Sequence, residues 1–242
     1  MSEVDAVSDA NEVLNFNNVV LKPASGLVMA LSGASVRICA GEILIIGVDG
    51  QDHGVSNPLF DLAEGMVDPD EGSVTFEGRD WRAMSPGAQS KARTRIGRVF
   101  ESLGWISSLS LYENITLSQR HHTRRPNEQI ASEVMDLARV AGVAADLNQR
   151  PEYTSRSELQ KCQWVRAFAG SPALVLLEQP ETGVPAESVE WLIDMTRGAL
   201  DRGAAVVWLT SDRQQLQDKY MFGAKRQSLR NGKLVSLTED KR

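Results

Sequence analysis

The sequence predicts an α/β protein with a buried parallel sheet covered by helices. Short apolar runs rich in branched residues (Ile43–Val48, Ala173–Leu177, Ala204–Leu209) recur between longer mixed segments. Uninterrupted runs of this kind suit strands that are buried on both faces. The length of 242 residues suits one large domain or two small ones and is enough to bury a substantial core.

Each element follows from local pattern. Val13–Leu21 and Leu27–Ile38 are β-rich and divided by Lys22–Gly26, which predicts an antiparallel hairpin or meander. Ala40-Gly41-Glu42 turns into a strand over Ile43–Gly47. Gly47–Gly54 is a polar, glycine-bearing loop, and the helix within Ser56–Gly65 can begin only around Pro58, where proline suits the first turn. Asp68–Gly72 is a turn before a strand at Ser73–Phe76, and Ile96–Phe100 is another short strand. Ser110–Val143 reads as helical, with Ile130, Val134, Leu137, Ala138 and Ala141 at spacings of three and four and Pro126 opening a second helix. Ser157–Ala169 and Val189–Leu200 read as helices, and Leu174–Leu177 and Val206–Leu209 as buried strands. Gln227–Asn231, Gly232 and Leu234–Leu237 suggest a closing hairpin. There is no internal repeat and no low-complexity linker.

Composition excludes several classes. With 26 Lys+Arg against 32 Asp+Glu the formal net charge is -6, so no broad positive field draws the chain to nucleic acid or anionic lipid. The basic run Arg120–Arg125, with His121 and His122, reads as a solvated loop, as do Lys225 and Arg226. Two cysteines, Cys39 and Cys162, cannot make a disulfide framework for this length, and neither sits in a metal-ligand cluster. Met1–Asn11 is polar and acidic without a basic-then-apolar leader, and the apolar runs fall far short of the ~20 residues that span a bilayer. A cytoplasmic globular protein is expected, with Trp81, Trp105, Trp164, Trp191 and Trp208 serving as packing residues.

The loop Gly47-Val48-Asp49-Gly50-Gln51-Asp52-His53-Gly54 follows a strand and precedes a helix, the context of the phosphate-binding pattern G-x-x-x-x-G-K-[ST]. Such a loop points backbone N–H groups at phosphate oxygens, adds a lysine cation and sets a hydroxyl on Mg²⁺. Here the second motif glycine is Asp52, the lysine is His53 and the hydroxyl residue is Gly54. Taken alone, this is an ordinary strand-to-helix turn. Repulsion between Asp52 and a triphosphate would cost on the order of 1–4 kcal/mol. The helix N-terminus returns only about 0.3–1 kcal/mol.

The wider arrangement resembles the nucleotide-binding subunits of ATP-binding cassette (ABC) transporters over nearly the full length. Gly41-Glu42-Ile43 precedes the loop, and Pro69–Ser73 with Phe76-Glu77-Gly78 matches the following turn and strand. Arg95–Glu101 matches the segment that normally ends in the Q-loop glutamine, and Leu109–Ile115 the segment usually read L-T-V-x-E-N-V. Thr154–Arg166 aligns with the signature and its helix, Pro172–Gly183 with Walker B and the D-loop, and Val206–Asp212 with the strand ending in the switch histidine. The resemblance implies an ABC-type P-loop NTPase fold with a mixed-sheet core, an N-terminal antiparallel β region and a helical insert. In residue terms this means a core lobe over 12–100 and 164–237, a helical lobe over 101–163 and flexible ends at 1–11 and 238–242.

It also implies ATP with Mg²⁺ as ligands, bound by Gly47, Gly50, Asp52, His53, Gly54, Ser155, Ser157 and Glu158, with Glu178 toward the metal. The same residues carry the departures from the family. The signature L-S-G-G-Q reads Thr154-Ser155-Arg156-Ser157-Glu158, and the Walker B aspartate is Glu178. The glutamate that polarises water is Gln179, which forfeits general-base help of about 10²–10⁴-fold. The Q-loop glutamine is Glu101, the switch histidine is Ser211, and Leu21–Ala24 lacks the ring that would stack on adenine. The expectation is a pseudo-ATPase, weak or silent toward ATP. It would pair as a homo- or heterodimer with another cassette and contact an integral membrane permease through Trp105 and Ile106, peripheral to the inner face. Two rivals stand beside it: a divergent active ATPase powering transport, possibly of lipid, and a stand-alone interaction module.

Overall fold

In the computed structural model, residues 11–23, 30–48, 58–102, 104–212 and 223–237 are described. Expectations that fall on Gly50, Asp52, His53, Gly54 and both chain ends lie outside these residues. The N-terminal β-rich region forms β1 (Glu12–Leu21) and β2 (Leu31–Cys39), paired antiparallel with Glu12 opposite Cys39 and Leu21 opposite Leu31. β3 (Ile43–Val48) precedes the glycine-bearing loop, and α1 (Pro58–Ala63) opens on Pro58 as expected. β4 (Glu71–Phe76) pairs antiparallel with β1 and with the short β5 (Arg79–Asp80).

A 3₁₀ turn at Trp81–Ala83 and α2 (Pro86–Arg93) were not foreseen. α2 buries none of its residues, so it has no apolar stripe to read. Its one local signal is Ser85, whose hydroxyl caps the first turn beside Pro86. β6 (Ile96–Val99) follows. The helical stretch divides at Pro126 into α3 (Leu111–His122) and α4 (Asn127–Val140). Ser110 and Glu113 close a reciprocal capping box at the start of α3.

The remaining elements are α5 (Arg156–Phe168), β7 (Leu174–Glu178), α6 (Ser188–Asp201), β8 (Ala205–Thr210), β9 (Lys225–Arg230) and β10 (Lys233–Ser236). β9 and β10 form the expected closing hairpin.

Two sheets result. One is antiparallel, in the order β2-β1-β4-β5. The other is mixed, in the order β10-β9-β3-β8-β7-β6, with β3, β6, β7, β8 and β9 parallel and only β10 reversed. Side chains of the central strands alternate between two apolar clusters. Ile43, Ile45, Val175, Leu177, Val206 and Trp208 pack with residues of α3 to α6. Leu44, Ile46, Leu174, Leu176, Val207 and Leu209 pack with the antiparallel sheet and α1. Cover on both faces is why these runs are uninterrupted in the sequence.

The boundary expected between 163 and 164 falls inside α5, whose Leu159 and Trp164 share one cluster with Val99 and Leu177. Of the five tryptophans, Trp81, Trp164 and Trp208 are buried packing residues, whereas Trp191 is 38% exposed.

Candidate functional site

Of the residues singled out in the sequence, Gly47, Glu101, Glu178, Gln179 and Ser211 lie at or just beyond the carboxyl ends of the parallel strands, where open α/β sheets form their ligand crevice. Gly47, next to last in β3, lies opposite Thr210 of β8, and Glu178 ends β7 opposite Leu209. Phe100 and Glu101 continue from β6, and Ser211 follows β8.

Gln179 and Ser211 meet. The Ser211 hydroxyl donates to Gln179 Oε1 at 2.7 Å, and the Gln179 amide donates to Leu209 O at 2.8 Å. Gln179 holds a left-handed φ of 42°, so the backbone turns sharply out of β7 at this residue. The two positions expected to polarise water and sense phosphate therefore satisfy each other. An amide and a hydroxyl bonded in this way supply no proton acceptor of useful basicity at neutral pH.

Glu178 is equally committed. Its side chain is 3% exposed and lies 3.2 Å from Arg98 Nη2. Arg98 Nη1 lies 2.8 Å from both Asp61 of α1 and Glu64, which follows the helix. The guanidinium also sits over the Phe100 ring at 4.5 Å and the Phe60 ring at 5.6 Å. Sequence reading missed Arg98. Its signal was a lone arginine between Gly97 and Val99 in an otherwise apolar strand, which requires an internal partner.

A second overlooked residue is Glu181, whose carboxylate accepts from Trp208 Nε1 at 3.2 Å and from the Thr210 hydroxyl. Desolvation raises its pKa above the ordinary value near 4.5, against the hydrogen bonds from Thr210 and Trp208. A raised folded value means stability that is full below the ordinary pKa and is lost as pH climbs through the raised one. Glu181→Gln removes that loss. Its urea midpoint should fall less than that of the unaltered chain as pH rises above the ordinary carboxylate value, whereas a parallel decline would show that Glu181 titrates normally.

Around α5, Ser155 is exposed and caps the helix, its hydroxyl accepting from the Glu158 amide at 3.3 Å. Glu158 turns away from the cap. Its carboxylate accepts from the Ala144 and Ala145 amides at 2.7 and 3.0 Å and pairs with Lys161 at 2.8 Å. The Lys161 and backbone hydrogen bonds outweigh desolvation and lower its pKa. Ser157 is half-buried. Gln160 and Trp164 both donate to Pro180 O, at 3.1 and 3.0 Å, tying α5 to the segment after Gln179.

At the other edge, Gln163 exchanges two amide hydrogen bonds with the Phe100 backbone, each at 3.2 Å, which fixes the start of the segment leading to Glu101. Trp105 is half-buried beneath Arg166, whose guanidinium lies 4.7 Å from the ring, and Ile106 is 45% exposed. Burial pushes the Arg166 pKa down to about 10.

The antiparallel sheet layered on the mixed sheet, with helices on the other face, defines a cassette-type α/β fold. A dimeric bacterial ABC transporter cassette matches it with a TM-score of 0.78 at 20% identity, over 91% of this chain and 96% of that one. The same cassette in a post-hydrolysis state bound to ADP and Pi matches at 0.77. Residues 31–182, more than half of the chain, match the ABC transporter family, and the chain belongs to it.

Among curated relatives, the methionine import ATP-binding protein MetN of Cupriavidus necator is 28% identical over 77% of this chain and 54% of that protein. MetN of Caulobacter vibrioides is 26% identical over 83% of this chain and 60% of that protein. The chain thus spans little more than half the length of these relatives.

Members of this family normally bind ATP with Mg²⁺. Among the described residues, Glu178, the position that would face the metal, does not fit it freely, because it is paired to the internal cation Arg98. No three His, Cys, Asp or Glu side chains among the described residues form a group able to hold an ion.

Proposed function

We propose that this chain is the ATP-binding-type subunit of an ABC transporter complex that scaffolds or regulates the assembly, with weak or no ATP hydrolysis of its own. The observation that carries this reading is the Ser211–Gln179 hydrogen bond, which fills the water-activating position with an amide and its phosphate-sensing partner with a hydroxyl. The acidic phosphate loop and the Arg98–Glu178 pair act in the same direction, disfavouring triphosphate and metal respectively.

The subunit works on the cytoplasmic side, peripheral to the membrane, against a permease subunit through Trp105 and Ile106 on a helical lobe over 101–163. Among the described residues no helix is long and apolar enough to cross a membrane. It pairs with a second cassette. In a heterodimer with an intact partner, Ser155 completes the partner's phosphate site and that site turns over, whereas the site built on His53 and Gln179 stays silent.

Hydrolysis by the purified chain decides between this reading and a divergent active ATPase. With saturating Mg-ATP, turnover should lie about 10²–10⁴-fold below that of an intact cassette assayed in parallel. Turnover within tenfold of the intact cassette would restore the active-ATPase reading. Co-purification with a multi-span membrane protein separates a transporter subunit from a stand-alone module.

A further inference from the structure

We infer that Arg98 is the built-in cation of this site, standing where a divalent ion would be needed at Glu178, so that the folded chain holds no metal there. The inference concerns the ion alone, and it can fail or succeed independently of the transport reading.

Arg98 departs from β6 with a side chain only 3% exposed, and its two terminal nitrogens reach three carboxylates. Asp61 lies on α1, Glu64 follows immediately after its last residue, and Glu178 ends β7. The guanidinium thus links the helix that follows the phosphate loop to the strand that should carry the metal ligand. A planar guanidinium with fixed donors suits this bridging, and the faces of Phe60 and Phe100 enclose it.

Three carboxylates around one cation leave an excess of negative charge. Desolvation raises the pKa of Glu64, against its contact with Arg98. The neighbouring carboxylates hold the Arg98 pKa above its usual value in spite of burial, so the cation is permanent. Mg²⁺ requires near-octahedral oxygen ligands at ~2.0–2.1 Å and keeps several waters. At Glu178 it would meet a fixed positive charge and a closed side chain. Deleting one partner of such a buried pair is severely destabilising. The arginine is therefore part of the fold and cannot simply swing aside for an ion.

The test needs no nucleotide. The free Mn²⁺ electron paramagnetic resonance signal is followed as the full chain is added, alongside melting temperature in matched ionic strength. The unaltered chain should leave the signal undiminished up to about 1 mM Mn²⁺, the weak end of carboxylate cation sites. Its melting temperature should also ignore Mg²⁺. Arg98→Met should melt about 10 °C lower or more and should recover part of that loss with Mn²⁺, as the abandoned carboxylates recruit an ion.

Arg98→Lys keeps the result readable if the methionine variant does not fold. Its single ammonium cannot span three carboxylates, so a lower melting temperature without Mn²⁺ uptake is expected. Mn²⁺ uptake by the unaltered chain that Glu178→Gln abolishes would overturn the inference. So would a melting temperature unchanged in Arg98→Lys.

Discussion

Gly97→Ala is expected to leave too little folded protein to recover. A Cβ placed on Gly97 would lie 1.7 Å from Ala167 O and 2.7 Å from Ala167 C. The obstacle is the backbone of α5, so no side chain can rotate out of the way. Relief needs β6 and α5 to part by about 1.5 Å, since ordinary C···O contacts lie beyond about 3.2 Å. That movement would open the cluster in which Val99, Phe168 and Leu177 are packed.

A cost above about 4 kcal/mol is expected, against a total stability of roughly 5–15 kcal/mol for a domain. Gly78→Ala is the contrast. Gly78 has φ +72° but nothing within 4 Å of an added Cβ, so only backbone strain of about 1–2 kcal/mol applies. Yield after gel filtration, followed by urea unfolding, compares the two. A Gly97→Ala chain that unfolds at the midpoint of the unaltered protein would mean that β6 does not pack on α5 as described.

Trp164→Ala should cost about 3–5 kcal/mol and act directly on the candidate site. Trp164 is fully buried, and its indole N–H donates to Pro180 O at 3.0 Å. Removing the ring opens a cavity between α5 and β7 and halves the grip on the segment after Gln179, leaving Gln160 alone on that carbonyl. Trp164→Phe keeps most of the volume and should lose only about 1 kcal/mol with the hydrogen bond. Urea midpoints at constant slope measure both changes. Amide exchange at Gln179, which donates to Leu209 O, should accelerate in the alanine variant more than at Leu176 in mid-strand. Equal acceleration at both would assign Trp164 to the general core and not to the site.

These two sites show where sequence reading reached its limit. The Ile43–Val48, Leu174–Leu177 and Val206–Leu209 runs announced their strands because burial on both faces removes polar residues, and that constraint is local. Glu178, Gln179, Ser211 and Ser155 could be singled out because the resemblance to ABC cassettes places a functional position at each. Short α2 escaped because an exposed helix needs no stripe, and only Ser85 and Pro86 marked it.

The direction taken by Glu158 was equally hidden. The sequence offered it only as a signature position beside nucleotide, with no sign that its carboxylate serves the Ala144 and Ala145 amides of another loop. Arg98 was visible as a charge in an apolar strand, but not its company. Its partners lie 37, 34 and 80 residues away, and nothing in composition selects three acids out of 32.

By itself, then, the sequence determined the α/β class, the order of elements and the residue types standing at the strand ends. These depend on periodicity, turn chemistry and substitution, all of which act over a few residues. Tertiary structure alone decided that Ser211 would satisfy Gln179, that Arg98 would neutralise Glu178 and that Gly97 would lie against α5. Such contacts depend on the register of parallel strands and the docking of helices upon them. That geometry is fixed by the packing of the whole core, and no local segment encodes it.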